Sequence, residues 1–215
     1  MKPIYIIGAG GAAKEIFLLI KETNKVKPIY EFRGFIDINI KSNALQIGNK
    51  KFPVLNETIF LKECKENSVI VFGLGDAAGL RKIIDKYLQY PNFEFPTIVH
   101  PSVVLNESIQ LGIGNVVAQA CIFTVDISLQ SFNYINRGVH IGHDCLIGSY
   151  NVLNPCAVIS GGVIIKDENL VGSNSTILQY LTVGSKNKIG AGAVVTKNVG
   201  SDMLMVGVPA KNINK

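Results

Sequence analysis

A chain of 215 residues, 47% of them apolar, can fill one large domain or two small ones with a substantial core. No window holds eighteen consecutive apolar residues, so no membrane-spanning helix is expected. The charge of +5 is moderate and scattered, with no basic run interleaved with aromatics. That disfavours nucleic acid as a partner and leaves room for a small anionic ligand.

The first segment, PIYIIGAGGAAKE, has a signal-like apolar run, but it quickly reaches Lys14 and Glu15. It reads better as a strand ending in a glycine turn. AAKEIFLLIKE then places Ile16, Leu19 and Ile20 at helical spacing. FRGFIDI and SVIVFGLG are further strand-like runs, AAGLRKIIDKYLQ is a second helical pattern, and another strand is expected near Phe93–Ile98. Strand, glycine turn, helix, strand is the grammar of a parallel sheet, so residues 1–95 are read as a small Rossmann-like α/β domain. It is too short for two full mononucleotide halves, which argues against hydride transfer. The four cysteines, Cys64, Cys121, Cys145 and Cys156, form no CxxC pair or metal spacing. They are expected to be reduced thiols in a cytoplasmic protein, and no metal is expected.

From Val99 the grammar changes. Every sixth residue, from Val99 and Leu105 through Ile141 and Ile147 to Val195, is aliphatic or Phe, seventeen in succession. At roughly one such residue in three, chance gives this run with odds on the order of 10⁻⁸. Glycine often follows the aliphatic residue, as at Gly142, Gly148 and Gly172. A six-residue period is too short for a helical repeat and fits a coil of three short strands, one inward aliphatic residue per side. Asn115, Asn133, Asn151, Asn169 and Asn187 repeat at eighteen, one full coil. They are expected to stack at one corner, where Asn tolerates left-handed backbone and its amide can bond along the stack. Residues 96–215 are read as a parallel β-helix, with MLMVGVPAKNINK closing its far end or folding along a side.

Hexads of the form [LIV]-G-x-x-x-x closed by VGVPAK resemble the hexapeptide-repeat acyltransferases, over residues 99–211. The resemblance implies a left-handed β-helix, a homotrimer, and acetyl-CoA bound in the groove between neighbouring prisms. An N-terminal domain opening with GAGG, together with HDCLIG in the helix, is similar to the bacterial sugar acetyltransferases. These modify nucleotide-linked amino sugars or sialic acid. The implied reaction is N-acetylation of the 4-amino group of a UDP- or dTDP-linked amino-dideoxy sugar, for surface glycan synthesis. Sialic acid O-acetylation is the alternative within the class. A non-catalytic trimeric scaffold is the alternative outside it.

Acetyl transfer needs a deprotonated acceptor held at attack distance from the thioester. Histidine suits the base, because its ordinary pKa lies near working pH, and an acidic neighbour can orient the ring. His143 and Asp144 match the family's pair, as base and orienting partner. Relatives often carry a second histidine nine residues on; here that position is Val152, with Asn151 or Asn154 as possible polar substitutes. His140 lies half a hexad before His143 and is weighed as a neighbour of the site, while His100 is expected at the domain joint. The resemblance also places Gly161, Gly172, Ser173, Gly190 and Ala191 along the acetyl-CoA path. In the first domain, Gly8, Gly10, Gly11 and Ala12 form a glycine-rich phosphate turn ahead of a helix. Asp37, Gly75 and Asp76, with Gly73, end neighbouring strands, where ligands of open α/β sheets collect.

Overall fold

The computed structural model describes residues 1–40 and 42–214, which form two compact units: Met1–Gly75 with Lys82–Pro96, and Asp76–Arg81 with Thr97–Lys215. In the first unit β1 (Lys2–Ile7), α1 (Gly11–Val26), β2 (Tyr30–Asp37), β3 (Ala44–Ile47), β4 (Lys50–Asn56), α2 (Glu57–Glu63), β5 (Ser68–Phe72), α3 (Leu80–Tyr87, whose first two residues group with the second unit) and β6 (Phe93–Glu94) follow in order. The sheet order is β3-β4-β2-β1-β5-β6, parallel except for the β3–β4 hairpin. Central strand β1 buries Ile4, Tyr5, Ile6 and Ile7, as a strand covered on both faces must. Helix α1 buries Ala13, Ile16, Phe17, Leu19 and Ile20. Gly73 admits it: a methyl there would lie 2.7 Å from Ala13 Cα. The hairpin and α2 are not evident from hydrophobic period alone. Helix α2 starts because Asn56 Oδ1 accepts from the Thr58 and Ile59 amides at 3.0 and 3.2 Å.

The second unit is a three-sided prism of short parallel strands. One side stacks Ile122–Phe123, His140–Ile141, Val158–Ile159, Thr176–Ile177 and Val194–Val195. The next stacks Ile109–Leu111, Ile127–Leu129, Leu146–Ile147, Ile164–Ile165 and Thr182–Val183. The third runs from Ile98–Val99 through Tyr134–Ile135 and Val152–Leu153 to Lys188–Ile189. The hexad residues from Val117 to Val195 fill the interior. Leu105 departs from the expected pattern: it lies outside any strand and is 36% exposed, because the first coil is incomplete there.

The Asn ladder forms, but for one of the two expected reasons. Asn133, Asn151, Asn169 and Asn187 each donate their backbone amide to the Oδ1 of the Asn one coil earlier, at 2.8 to 2.9 Å. The left-handed residues are the ones just before them: Gly114, Phe132, Tyr150, Glu168 and Lys186. The ladder is thus a hydrogen-bonding device, and the corner bend belongs to its neighbour. The tail closes the far end: Leu204–Val206 adds in parallel beyond Lys188–Ile189, the last coil strand of the third side, Lys211–Asn212 pairs antiparallel with Leu204–Val206, and Met205 joins the core. Among the described residues no helix is long and apolar enough to cross a membrane.

Candidate functional site

His143 sits on the corner between the first and second sides, just after the strand His140–Ile141. Gly142 lets that coil lie close on the next: a methyl there would be 2.6 Å from the Gly161 amide nitrogen. Asp144 takes the left-handed bend at φ 58°. Asp and Asn are the non-glycine residues that accept this conformation most readily. The bend turns the carboxylate back on its neighbour, and Asp144 Oδ2 lies 2.7 Å from His143 Nδ1. Both side chains are more than half exposed.

The contact dictates the tautomer. A carboxylate only accepts, so Nδ1 donates to Asp144 and Nε2, the ring atom nearest a methyl built at Gly161, is the nitrogen left to accept a proton. The ring lies on the backbone of Gly161, one coil on, where a methyl would come 2.5 Å from His143 Cε1. Any side chain at residue 161 would displace the imidazole. The His143 carbonyl in turn accepts from the Gly162 amide at 2.7 Å.

Of the expected acetyl-CoA residues, Gly161 joins His143. Gly172, Ser173, Gly190 and Ala191 stack together on a different corner, the one after the third side. Within the single chain the structure does not bring them to the imidazole. Val152 is buried on the third side, so it offers nothing to His143. Asn151 is committed to the ladder, and Asn154 lies on the corner of Gly172. His140 points outward from its strand, and His100 Nδ1 pairs with Ser102 Oγ at 2.8 Å. Among the described residues no three His, Cys, Asp or Glu side chains converge as a metal site.

In the first unit the ends of β1, β2 and β5 meet as expected. The Gly8 amide donates to the Ile36 carbonyl at 2.6 Å, and the Gly73 amide to the Ile7 carbonyl at 2.8 Å. Asp37 Oδ2 accepts from the Ala9 amide at 3.1 Å, tying the glycine turn to β2. Gly8 needs to be glycine: its φ is 100°, and a methyl would lie 2.9 Å from the Gly73 carbonyl oxygen. Gly10 and Gly11 differ. Neither has positive φ, and a methyl on either meets nothing within 4 Å. Gly10 caps α1 with no side-chain partner, and no acidic residue occupies the first turn. The helix start, with Ala12 beside it, therefore presents bare amides to solvent. Gly75 lies 3.8 Å, as a built methyl, from Ala12 Cβ. Asp76 groups with the second unit, where its Oδ1 accepts from the Ala78 amide.

Comparison with known proteins agrees with both units. Residues 3–87 match the PglD N-terminal domain family. PerB from Caulobacter crescentus, solved with CoA and GDP-perosamine, is 25% identical with a TM-score of 0.86, over 100% of this chain and 98% of that one. The acetyltransferase domain of PglB from Neisseria gonorrhoeae, in complex with acetyl coenzyme A, is 25% identical with a TM-score of 0.86, over 99% of each chain. A curated relative from Burkholderia thailandensis, the acyl-[acyl-carrier-protein]–UDP-N-acetylglucosamine O-acyltransferase, is 34% identical over 79 residues. That match spans 37% of this chain and 30% of the relative. A PglD-type N-terminal domain ahead of a left-handed β-helix is the architecture of the hexapeptide-repeat sugar acetyltransferases, which this chain resembles over its whole length.

Proposed function

We propose that the protein transfers the acetyl group of acetyl-CoA to the 4-amino group of a nucleotide-linked amino-dideoxy sugar. The observation that carries this reading is the His143–Asp144 pair laid over Gly161. The amine nitrogen attacks the thioester carbonyl, and the C–S bond breaks as the tetrahedral adduct collapses. Nε2 takes the proton that the nitrogen must lose and returns it to the departing CoA sulfur. Asp144 steadies the imidazolium formed between these steps. The similarity to PerB, solved with CoA and GDP-perosamine, and to PglB, solved with acetyl coenzyme A, supports this donor and acceptor class.

The bare amides of Gly11 and Ala12 at the start of α1 suit the phosphates of the nucleotide, with Asp37 beside them for the ribose or base. Around His143 the prism leaves Ile122, Val125, Leu146 and Ile164 exposed, by 39 to 51%. A belt of this kind is what a second prism covers. We read it as the subunit contact of a homotrimer, whose neighbouring corner supplies Gly172, Ser173, Gly190 and Ala191 to the CoA. UDP, dTDP and GDP carriers all remain in the substrate panel.

The test is CoA release from acetyl-CoA over a panel of nucleotide-linked 4-amino sugars, with His143→Ala as control. Release with one such sugar, abolished by the substitution in a protein of unchanged assembly mass, is expected. Transfer to sialic acid with none to amino sugars would reassign the acceptor. Full activity in His143→Ala would remove the base.

A further inference from the structure

One chemistry-bearing side chain on the His143 corner has no part in the reaction just described. Tyr180 lies two coils beyond Asp144, with Gly162 between them in the same column. Its backbone is left-handed, at φ 59°, an uncommon setting for a bulky residue. Its ring folds back over Gly162, where a methyl would lie 2.6 Å from Tyr180 Cε1. The His143 ring covers Gly161 from the coil before. The two rings therefore rest on consecutive residues, whose Cα atoms are about 3.8 Å apart. Gly161 and Gly162 thus lie one beneath each ring.

The same ring-on-glycine device occurs at another corner, and the contrast is informative. Phe132 folds over Gly114, and Tyr150 stacks on Phe132 at 5.8 Å between centroids. There Phe132 is only 5% exposed, and Arg81, a member of the same unit, lies 5.6 Å over the Tyr150 ring. Tyr180 is 72% exposed. Packing over a glycine explains where its ring lies. It does not explain a large aromatic held in water on strained backbone. Leu178, two residues before it and more than a third exposed, makes the lip beside it apolar.

We propose that Tyr180 is a further substrate-contacting residue: its ring is the wall against which the thioester end of acetyl-CoA lies, opposite His143. The inference rests on the acetyl-transfer reading. The two rings cover adjacent glycines, and a thin extended acyl arm laid across them touches both more readily than a hexose ring does. Its apolar lip matches an acetyl methyl and a thiomethylene group rather than sugar hydroxyls. The ring carries the contact, and the hydroxyl is dispensable.

The test uses Tyr180→Ala and Tyr180→Phe in the full chain. CoA affinity is read by calorimetry, KM for both substrates by initial rates, and assembly mass by light scattering. Tyr180→Ala is expected to weaken CoA and raise KM for acetyl-CoA about tenfold, the scale of one buried aromatic contact. KM for the nucleotide sugar, the assembly mass and the rates of Tyr180→Phe are expected to hold. If alanine lowers the melting point, Tyr180→Asn, which suits left-handed backbone, repeats the measurement. Unchanged CoA affinity in Tyr180→Ala overturns the assignment. So does a change confined to assembly mass, which would make Tyr180 a subunit contact. Damage in Tyr180→Phe equal to that in Tyr180→Ala overturns the role of the ring. A protein with native residues throughout that binds no CoA overturns the acetyl-transfer reading and this inference with it.

Discussion

Gly161→Ala separates the position of the proposed base, His143, from the stability of the prism. A methyl at residue 161 would lie 2.5 Å from Cε1 and 2.8 Å from Cδ2 of His143, where ordinary contact begins at 3.4 Å. The imidazole must retreat by about 1 Å, and a misplacement of that size costs on the order of 10² in rate. The corresponding rise in barrier is about 2.7 kcal/mol. The ring is half exposed and can swing outward, so the fold loses little. Gly172→Ala is the control. Its methyl would lie 2.5 Å from the Ala191 nitrogen and 2.6 Å from the Gly190 carbonyl carbon, backbone that cannot swing aside. A thiol-release assay and a thermal melt on both variants suffice. Gly161→Ala should lose about a hundredfold in kcat/KM with a melting point shifted by no more than about 2 °C. Gly172→Ala should melt earlier. Retained CoA affinity in Gly161→Ala would tie the loss to the imidazole. A Gly161→Ala enzyme within about threefold of the native rate would refute the reasoning.

The remaining predictions concern the ladder, the thiols and alkaline pH. Asn133→Ala removes the Oδ1 that receives the Asn151 amide and the Nδ2 that reaches Asn115 Oδ1. With that amide left buried and unpaired, denaturant unfolding should show a loss of about 1–3 kcal/mol, and a loss below about 0.5 kcal/mol would count against the ladder. Native thiol labelling at pH 8, read by mass spectrometry, should modify exposed Cys156 and spare Cys121 and Cys145, which are buried and donate to the Asn136 and Ser160 carbonyls at 3.1 Å. Burial pushes the Cys121 thiol up to about 11 and the Tyr5 phenol up to about 12. Both groups favour the protonated form in the folded state, so their contribution is whole below the unfolded pKa and fades as pH rises through the folded one. Stability should therefore hold to about pH 9 and fall between about pH 9 and 12. Cys121→Ala should flatten the lower part of that fall, and an unaltered profile would refute the thiol's share.

The period of six located the prism because one inward residue per side is a demand of the fold, met from Val117 to Val195 without exception. It misjudged Leu105 because a repeat seen in sequence does not show where the first coil closes. The hairpin of β3 and β4 and the short helix α2 carry no period. Helix α2 rests on the Asn56 cap, a local bond that hydrophobic patterning does not register. At the site, His143 and Asp144 were legible as a motif. Their geometry was not, because it depends on a left-handed bend at Asp144 and a missing side chain one coil away at Gly161. Tyr180 was missed because nothing in a linear reading links it to a histidine in another coil. The signal that links them is the column of Asp144, Gly162 and Tyr180, spaced by eighteen as the Asn residues are.

The constant step of eighteen makes residue number a pair of coordinates on this molecule. The remainder selects an edge or face, and the quotient gives the height, in rungs about 4.8 Å apart. His143 and Gly161 share a meridian, and Asp144, Gly162 and Tyr180 share the one beside it. Moving a functional group by six residues would carry it to the next edge at nearly constant latitude; moving it by a whole coil would slide it along the edge it occupies. Both moves leave the aliphatic interior in register. A gain or loss of one residue does not, since it would turn every later hexad out of the core. Closure happens where the count itself changes: past Val183 the step drops to sixteen, as at Ser185 and Ser201, and the coordinate system ends.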